Sequence, residues 1–175
     1  MRIRTAMRDE LVPLHALIER AYRGDSARAG WTHEADLLGG QRTDPEALAA
    51  IFADPRQRVL VADIDGEMRG CVNVQDKDAG LAYLGLLTVD PAHQARGTGA
   101  ALLAAAEAFA RSVFGATVME MTVIAQRPEL VDYYVRKGYA QSGETRPFPH
   151  ADPRFGLPTR RDLHFVVLNR DIALL

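Results

Sequence analysis

The amino-acid sequence predicts an α/β protein built around a mixed β-sheet. Three observations lead to this expectation. Apolar residues recur at helical spacing in some segments and alternate in others, so helices and strands are interspersed along the chain. The step Asp65-Gly66 between two apolar runs is typical of a β-hairpin. The continuous apolar run Leu81–Val89 is typical of a strand at the centre of a sheet.

The first half of the chain is expected to contain one short strand, two helices and the hairpin. Leu14, Leu17 and Ile18 share one face of the first helix. Asp44 followed by Pro45 favours the start of the second helix, which extends to Ala53. The segment 24–43 is predicted to be irregular. The other predicted segments are a strand over 2–6, the first helix over 10–23 and the hairpin strands over 58–64 and 68–75.

The second half of the chain alternates between helices and strands. Gly138 is a suitable residue to end the helix that precedes it. The predicted segments are the strand Leu81–Val89, a helix over 99–114, a strand over 117–124, a helix over 128–137, a strand over 139–145, a Pro-rich loop over 146–161 and a final strand over 162–168. The predicted order is therefore β-α-α-β-β-β-α-β-α-β-β.

The composition excludes several classes of protein. The 175 residues include 25% charged residues and have a net charge of −2, which is typical of a globular chain without a basic surface for nucleic acid or membrane. The single cysteine, Cys71, excludes an internal disulfide and a cysteine-cluster metal site. The five histidines show no metal-ligand spacing, so we expect no metal. With no signal peptide or membrane-spanning run in the sequence, we expect a cytoplasmic protein.

The segment 86–103 contains the strongest chemical signal. A strand ends at Val89, and a loop containing Gly97 and Gly99 leads directly into a long helix. The first amides of a helix lack intrahelical partners and lie at the positive end of its dipole, where an anion is stabilised. The glycines let the backbone approach that anion closely. The loop therefore predicts a phosphate cradle, or in the alternative interpretation only a turn before a core helix.

Two motifs, in this order, resemble signatures of the GCN5-related N-acetyltransferases. The first is Gln94-x-x-Gly97-x-Gly99 after the apolar strand, and the second is Tyr134-x-x-x-Gly138-Tyr139 at the end of a helix. The order of segments over all 175 residues is also similar to that of the family. The resemblance implies a single domain over residues 1–175 with a mixed, splayed sheet flanked by helices. It also implies an acetyl-CoA-dependent N-acetyltransferase that needs no metal.

The resemblance implies that acetyl-CoA binds where the strands Leu81–Val89 and 117–124 part. Main-chain groups of Leu87 and Val89 would pair with the pantetheine arm. Many family members have asparagine where this chain has Arg127, so Arg127 would meet the coenzyme or an acidic group of the acceptor, or stand solvated at a helix start. The residues whose amides would hold the pyrophosphate are Gln94, Ala95, Arg96, Gly97, Thr98, Gly99 and Ala100.

Three residues are candidates for the chemical step. Tyr134 matches the family's tyrosine that protonates the departing thiolate, and the alternative is a tyrosine that only packs on the sheet. The resemblance also implies that the amide of Val89 stabilises the oxyanion. Glu120, in a mostly apolar strand, would bind the acceptor ammonium or relay its proton, and the alternative is an edge charge that faces solvent. Tyr134 is also expected to contact the cofactor.

The acceptor is expected to be a primary amine of a small molecule or peptide. Trp31 would contact its body or anchor the loop to the core, Glu34 would hold an ammonium and Arg42 a carboxylate. Phe148, in a Pro-Phe-Pro segment, would close the other side of the acceptor site. A non-catalytic module that binds coenzyme A esters is the alternative function. The last strand and the tail 171–175 are compatible with a homodimer.

Overall fold

In the computed structural model, which describes residues 1–174, the expected strands and helices follow one another in the predicted order. This confirms a mixed α/β fold flanked by helices. The last residue of the tail named above, Leu175, lies outside the described residues. The elements are β1 Arg2–Thr5, α1 Leu11–Tyr22, α2 Gly24–Arg28, β2 Leu38–Gly39, α3 Pro45–Ala53, β3 Gln57–Ile64, β4 Glu67–Asp76, β5 Leu81–Val89, α4 Thr98–Phe114, β6 Val118–Ile124, α5 Pro128–Arg136, β7 Ala140–Pro147, β8 Leu157–Pro158 and β9 His164–Asp171.

Two stretches predicted to be irregular contain additional structure. The short helix α2 lies in the segment 24–43, and β2 pairs with β8 across more than 100 residues of sequence. A helix of five residues and strands of two residues are too short to show a hydrophobic period. The final strand also starts later and runs further than expected, because its pairing with β6 continues to Asp171.

The main sheet has seven strands in the order β1-β3-β4-β5-β6-β9-β7. All neighbours are antiparallel except β5 and β6, which run parallel. These two strands pair only at their first residues: Leu81 with Val118, Ala82 with Met119, and Tyr83 with Glu120. Beyond Tyr83 the strands separate, so the sheet is splayed at its centre. This gap determines where a ligand can enter the fold.

Two apolar cores lie on opposite faces of the sheet. Leu102 of α4 belongs to a cluster that includes Val72 of β4, and Leu14 of α1 belongs to a second cluster that includes Val61 of β3. Successive residues of a strand point to opposite faces, so one strand supplies both clusters. Leu60 of β3, for example, belongs to the α4 cluster. Both faces of the sheet are therefore covered by packed helices.

Two further features of residues 1–174 concern membranes and metals. Within this range no helix is both long and apolar enough to cross a bilayer. The same residues contain no cluster of three or more His, Cys, Asp or Glu side chains that would hold a metal ion.

Candidate active site

The gap between β5 and β6 opens into connected cavities that meet at Tyr134. We call the larger opening the outer groove, with a volume of about 390 Å³, and the other the inner cavity, with a volume of about 230 Å³. A small passage of about 70 Å³ lies between them, and Leu87, Leu130 and Tyr134 line all three spaces. The outer groove is also lined by Trp31, Val89, Gln94, Ala95, Gly97, Gly99, Ala100, Tyr133, Arg136 and Lys137. The inner cavity is also lined by Tyr22, Glu34, Leu38, Arg42, Tyr83, Thr122, Ile124, Arg127, Phe148, Phe155 and Phe165.

The loop before α4 presents a row of free amides to the outer groove. Ala95 and Gly97 both have positive φ angles, of 60° and 85°. The first intrahelical bond of α4 runs from the Ala101 amide to the Gly97 carbonyl, and no described residue accepts a hydrogen bond from the amides of residues 95–100. Consecutive amides in such a turn form a concave anion site, which the positive end of the helix dipole strengthens. The predicted cradle therefore fits a pyrophosphate.

A bulge in β5 turns main-chain groups toward the gap. Leu86 has a φ of 51°, and the pairing of β4 with β5 shifts at this point. The Asp90 amide donates to the Arg69 carbonyl of β4 at 2.8 Å. Because main-chain direction alternates along a strand, the amides of Leu87 and Val89 point away from β4 and into the gap. Both strand residues can therefore donate to a ligand.

Tyr134 is buried at the junction of the groove and the cavity, with 6% of its surface exposed. Its ring packs against Tyr133 with centroids 5.3 Å apart. Burial raises the pKa of the Tyr134 phenol well above its usual value, and the nearby Tyr22 adds to the effect, while Arg127 opposes it. The phenol consequently keeps its proton over the physiological pH range.

Trp31, which was expected to contact the acceptor or to anchor its loop to the core, lines the outer groove. The Trp31 amide donates to Gln94 Oε1 at 2.9 Å, and its ring packs on Tyr133 at 5.6 Å. Gln94 Nε2 in turn donates to the Val89 carbonyl at 3.3 Å. A Cβ atom at Gly30 would come within 2.5 Å of Gln94 Oε1, so a glycine is needed there for this contact. The side chain of Gln94 thus ties the Trp31 loop to β5.

Glu34 and Arg127 bind each other instead of an external ligand. Arg127 Nη1 donates to Glu34 Oε1 at 3.2 Å and Nη2 donates to Thr32 Oγ1 at 2.5 Å, while Arg23 Nη1 donates to Glu34 Oε2 at 2.9 Å. Burial by itself raises the pKa of Glu34, but attraction from Arg42, Arg127 and Arg23 outweighs it and lowers the pKa. Glu34 is therefore an ionised partner of arginines, which differs from the expected ammonium site.

Glu120 is bound by an arginine from the edge of the sheet. Its carboxylate accepts hydrogen bonds from Arg146 Nη1 at 2.8 Å and Nη2 at 3.0 Å. Only 8% of Glu120 is exposed, and its side chain lines neither the outer groove nor the inner cavity. Glu120 is therefore paired with an arginine inside the protein. It had been expected to act as a base, to bind the acceptor ammonium or to face solvent. Its partner comes 26 residues later, in β7, so the sequence pattern of β6 does not reveal the pairing.

The structure places Arg42 and Phe148 together in the wall of the inner cavity. The guanidinium of Arg42 lies over the Tyr22 ring, 5.0 Å from its centroid. Phe148 is buried and packs on Phe165 with centroids 5.5 Å apart. Both residues therefore lie on the side of Tyr134 opposite the amide cradle. Within the cradle, the residue Arg96 is exposed and Thr98 is buried at the start of α4.

Several residues of the cavities were not singled out from the sequence. Tyr22 fits the apolar face of α1, yet its hydroxyl donates to the Leu87 carbonyl at 2.8 Å in the wall of the inner cavity. Tyr83 Oη and Thr122 Oγ1 form a hydrogen bond of 2.7 Å across the gap. Arg136 and Lys137 bring positive charge to the outer groove. Two adjacent cations in the sequence can indicate an anion-binding site. Cations are also common at a helix C-terminus, so the pair alone does not predict such a site.

The chain matches a family model described as an acetyltransferase (GNAT) domain over residues 31–150, which is more than half of its length. No curated protein matches the sequence. Solved structures similar to this fold include the protein yncA of Salmonella typhimurium with its cofactor acetyl-CoA, at 19% identity and a TM-score of 0.71, covering 98% of this chain and 94% of that one.

Two other similar structures are those of N-acetyltransferases. The ribosomal-protein-alanine N-acetyltransferase of Brucella melitensis has 18% identity and a TM-score of 0.71, with 98% of this chain and 99% of that chain covered. The spermidine N-acetyltransferase of Vibrio cholerae, in complex with CoA and spermine, has 16% identity and a TM-score of 0.71, with 98% and 95% covered. The family match and the splayed sheet together show that this chain belongs to the GNAT family and is an acetyl-CoA-dependent acyltransferase.

Proposed function

We propose that residues 1–175 form one N-acetyltransferase domain that moves the acetyl group of acetyl-CoA to a primary amine of a small molecule or peptide. One observation carries the proposal: Tyr134 lies where the outer groove, with its free amides, meets the inner cavity, with its aromatic walls. A cofactor and an acceptor that enter from these two sides would meet at this phenol.

The outer groove supplies the contacts that a coenzyme A ester needs. The amides of residues 95–100 would hold the pyrophosphate, and the side chains of Arg136 and Lys137 add positive charge along the same groove. The amides of Leu87 and Val89 would pair with the pantetheine arm as an added strand does. When bound, acetyl-CoA supplies an activated thioester whose acetyl group can be transferred to a nitrogen.

Two donors at the junction would assist the transfer. The Val89 amide would donate to the acetyl oxygen, where negative charge develops as the new carbon–nitrogen bond forms. Tyr134 would give its proton to the sulfur as the carbon–sulfur bond breaks, and its raised pKa keeps that proton available. The acceptor nitrogen loses one proton in the same reaction, and solvent can return an equivalent proton to Tyr134, so a neutral amine reacts without net release of a proton.

The acceptor amine would enter the cavity in its neutral form. Glu34 is the only carboxylate among the described residues that line the inner cavity, and its arginine partners lower its pKa. A carboxylate held in this way is a weak base. The rate is therefore expected to follow the ionisation of the acceptor itself.

A comparison of Tyr134→Phe with wild type tests the proposed acid. Removing a general acid is expected to lower kcat by roughly 100-fold or more, while acetyl-CoA affinity changes little because the ring stays in place. Thiol release from acetyl-CoA with a panel of amines gives kcat, and thermal shift with acetyl-CoA gives binding.

Tyr139→Phe is the matched control, because it also removes a buried phenol hydroxyl. That hydroxyl donates to Glu107 at 2.9 Å, outside both cavities, so the control is expected to lose stability and keep its kcat. Equal turnover by Tyr134→Phe and wild type would reject the acid role. Binding of acetyl-CoA without turnover of any amine would favour a non-catalytic coenzyme A ester module.

A further inference from the structure

The inner cavity contains more guanidinium groups than carboxylates. Arg23 and Arg127 each donate to one oxygen of Glu34, so both of its oxygens have a partner. Arg42 contacts Glu34 more loosely, with its Nε 4.0 Å from Glu34 Oε2, which is an ion pair without a hydrogen bond. Its guanidinium makes no hydrogen bond to any residue within the described range 1–174, although it lines the cavity. Arg42 therefore has free donors that face a cavity.

The other carboxylates near these arginines do not use the donors of Arg42. Glu19 Oε1 accepts the main-chain amides of Arg42 and Thr43, both at 2.8 Å. Glu129 is half-exposed and lies 3.7 Å from Arg127 Nε. The buried atoms Nε of Arg127 and Nε and Nη2 of Arg23 also lack a described acceptor. The cavity wall itself contains Arg42 and Arg127, and a cavity with two guanidinium groups and one carboxylate favours an anionic ligand group.

The rest of the inner cavity is apolar and small. Its walls include Tyr83, Phe148 and Phe165, and the side chains of Leu38 and Ile124 add aliphatic surface. The volume of about 230 Å³ is below the ~300–1,000 Å³ of cavities that hold drug-sized ligands. The cavity therefore fits a small group that combines an apolar body with one anionic end.

We infer that the acceptor is an amino acid with an apolar side chain, whose carboxylate is bound by Arg42 and whose body packs on Phe148 and Tyr83. This inference rests on the proposed acetyl transfer and specifies its substrate class. Guanidinium matches a carboxylate with two parallel hydrogen bonds, which also fixes the orientation of the attached amine. A polyamine would instead place a second ammonium beside the guanidinium groups of Arg42 and Arg127, at an electrostatic cost.

Matched acceptors that differ only in the carboxylate test this inference on the wild-type protein. Phenylalanine is compared with phenethylamine, and leucine with isopentylamine, at pH values adjusted so that equal fractions of each amine are neutral. The amino acid is expected to have the higher kcat/KM, by roughly 10- to 100-fold, as expected for hydrogen bonds between charged groups. Spermidine is expected to be a poorer acceptor than phenylalanine. Equal or better use of the decarboxylated amines would overturn the inference.

The variant Arg42→Met assigns the preference to one side chain. It is expected to raise KM for phenylalanine by roughly 10- to 100-fold and to raise KM for phenethylamine much less, because only phenylalanine loses a carboxylate contact. Arg56→Met is the control, since Arg56 forms an exposed ion pair with Asp78 outside the cavities. An equal loss with both acceptors would show that Arg42 has only a structural role.

A binding measurement separates failure of this inference from failure of the proposed function. With the wild-type protein saturated with CoA, phenylalanine and 3-phenylpropionate are expected to raise the melting temperature and phenethylamine to have a smaller effect. No difference between them would overturn the carboxylate site even if amines are acetylated. A clear difference without any thiol release would keep the carboxylate site and reject the acetyl transfer.

Discussion

Tyr134 acquires its proposed chemistry from burial at the end of a short helix. The same residue type next to it, Tyr133, is half-buried and packs between Trp31 and Tyr134. Burial raises the pKa of both phenols, and strongly so for Tyr134. A phenol that cannot easily ionise is a stable proton donor, so position within the fold distinguishes the two tyrosines more than their sequence does.

The pH dependence of the reaction reports on this phenol. A raised pKa means that the protonated, donating form persists as the pH increases, so Tyr134 ionisation is not expected to reduce kcat/KM between pH 7 and about pH 10, the ordinary pKa of tyrosine. The rate should increase over this range as the acceptor amine loses its proton. A pH–rate profile measures both effects. A decrease below pH 10 that disappears in Tyr134→Phe would contradict the raised pKa.

At the level of elements, the loop before α4 shows two different uses of glycine. Gly97 has a positive φ, and a Cβ at this position would meet no atom within 4 Å. Gly99 lies within the first turn of α4, and its Cβ would stand 3.6 Å from Val89 Cγ2 and 3.8 Å from Tyr133 Oη, at the wall of the outer groove. The first glycine suits the backbone conformation, and the second is proposed to allow the close approach of a ligand.

The variants Gly97→Ala and Gly99→Ala are expected to separate these two uses. Gly97→Ala should cost about 1 kcal/mol or more, a fall of a few degrees in Tm, because alanine is strained at positive φ. Gly99→Ala should keep or raise Tm, since alanine favours a helix, but weaken acetyl-CoA binding by roughly tenfold. Thermal unfolding and titration with acetyl-CoA measure both. Unchanged affinity in Gly99→Ala would argue against the cradle.

For the whole molecule, the splayed sheet needs a connection that holds its two halves around one core. Glu107 of α4 provides it, because its buried carboxylate accepts hydrogen bonds from Tyr139 Oη and from Arg170 Nη1 of β9, each at 2.9 Å. Helix α4 also packs on β3, β4 and β5 of the first half. The ion pair thus joins the strands on both sides of the gap to one helix.

Glu107→Ala is expected to destabilise the fold by about 3 kcal/mol, because a partly buried arginine and a buried hydroxyl lose their acceptor. For a chain of this size that corresponds to a fall in Tm of roughly 6–12 °C. The exposed Glu46→Ala on α3 is the control, with an expected change below ~0.5 kcal/mol. Calorimetry or thermal circular dichroism gives both values. A change as small as the control would show that the two halves are held together by apolar packing alone.

The order of helices and strands was predictable because it depends on short-range patterns. The hairpin around Asp65-Gly66, the central strand Leu81–Val89 and the Pro45 helix start were all confirmed within one or two residues. These signals are local: hydrophobic period, turn torsions and helix capping involve residues close in sequence. The pairing of β2 with β8 was not predictable, since two-residue strands carry no period.

The sequence by itself determined the element order, the glycine loop before α4 and the tyrosine segment of α5, because each depends on neighbouring residues. Only the tertiary structure decided which charges remain available for a ligand. Glu34 and Arg127 are 93 residues apart and neutralise each other, whereas Arg42 is left without a hydrogen-bond partner among residues 1–174. A charged side chain that is paired within the protein is not available to a ligand. Whether it is paired depends on how segments distant in sequence come together.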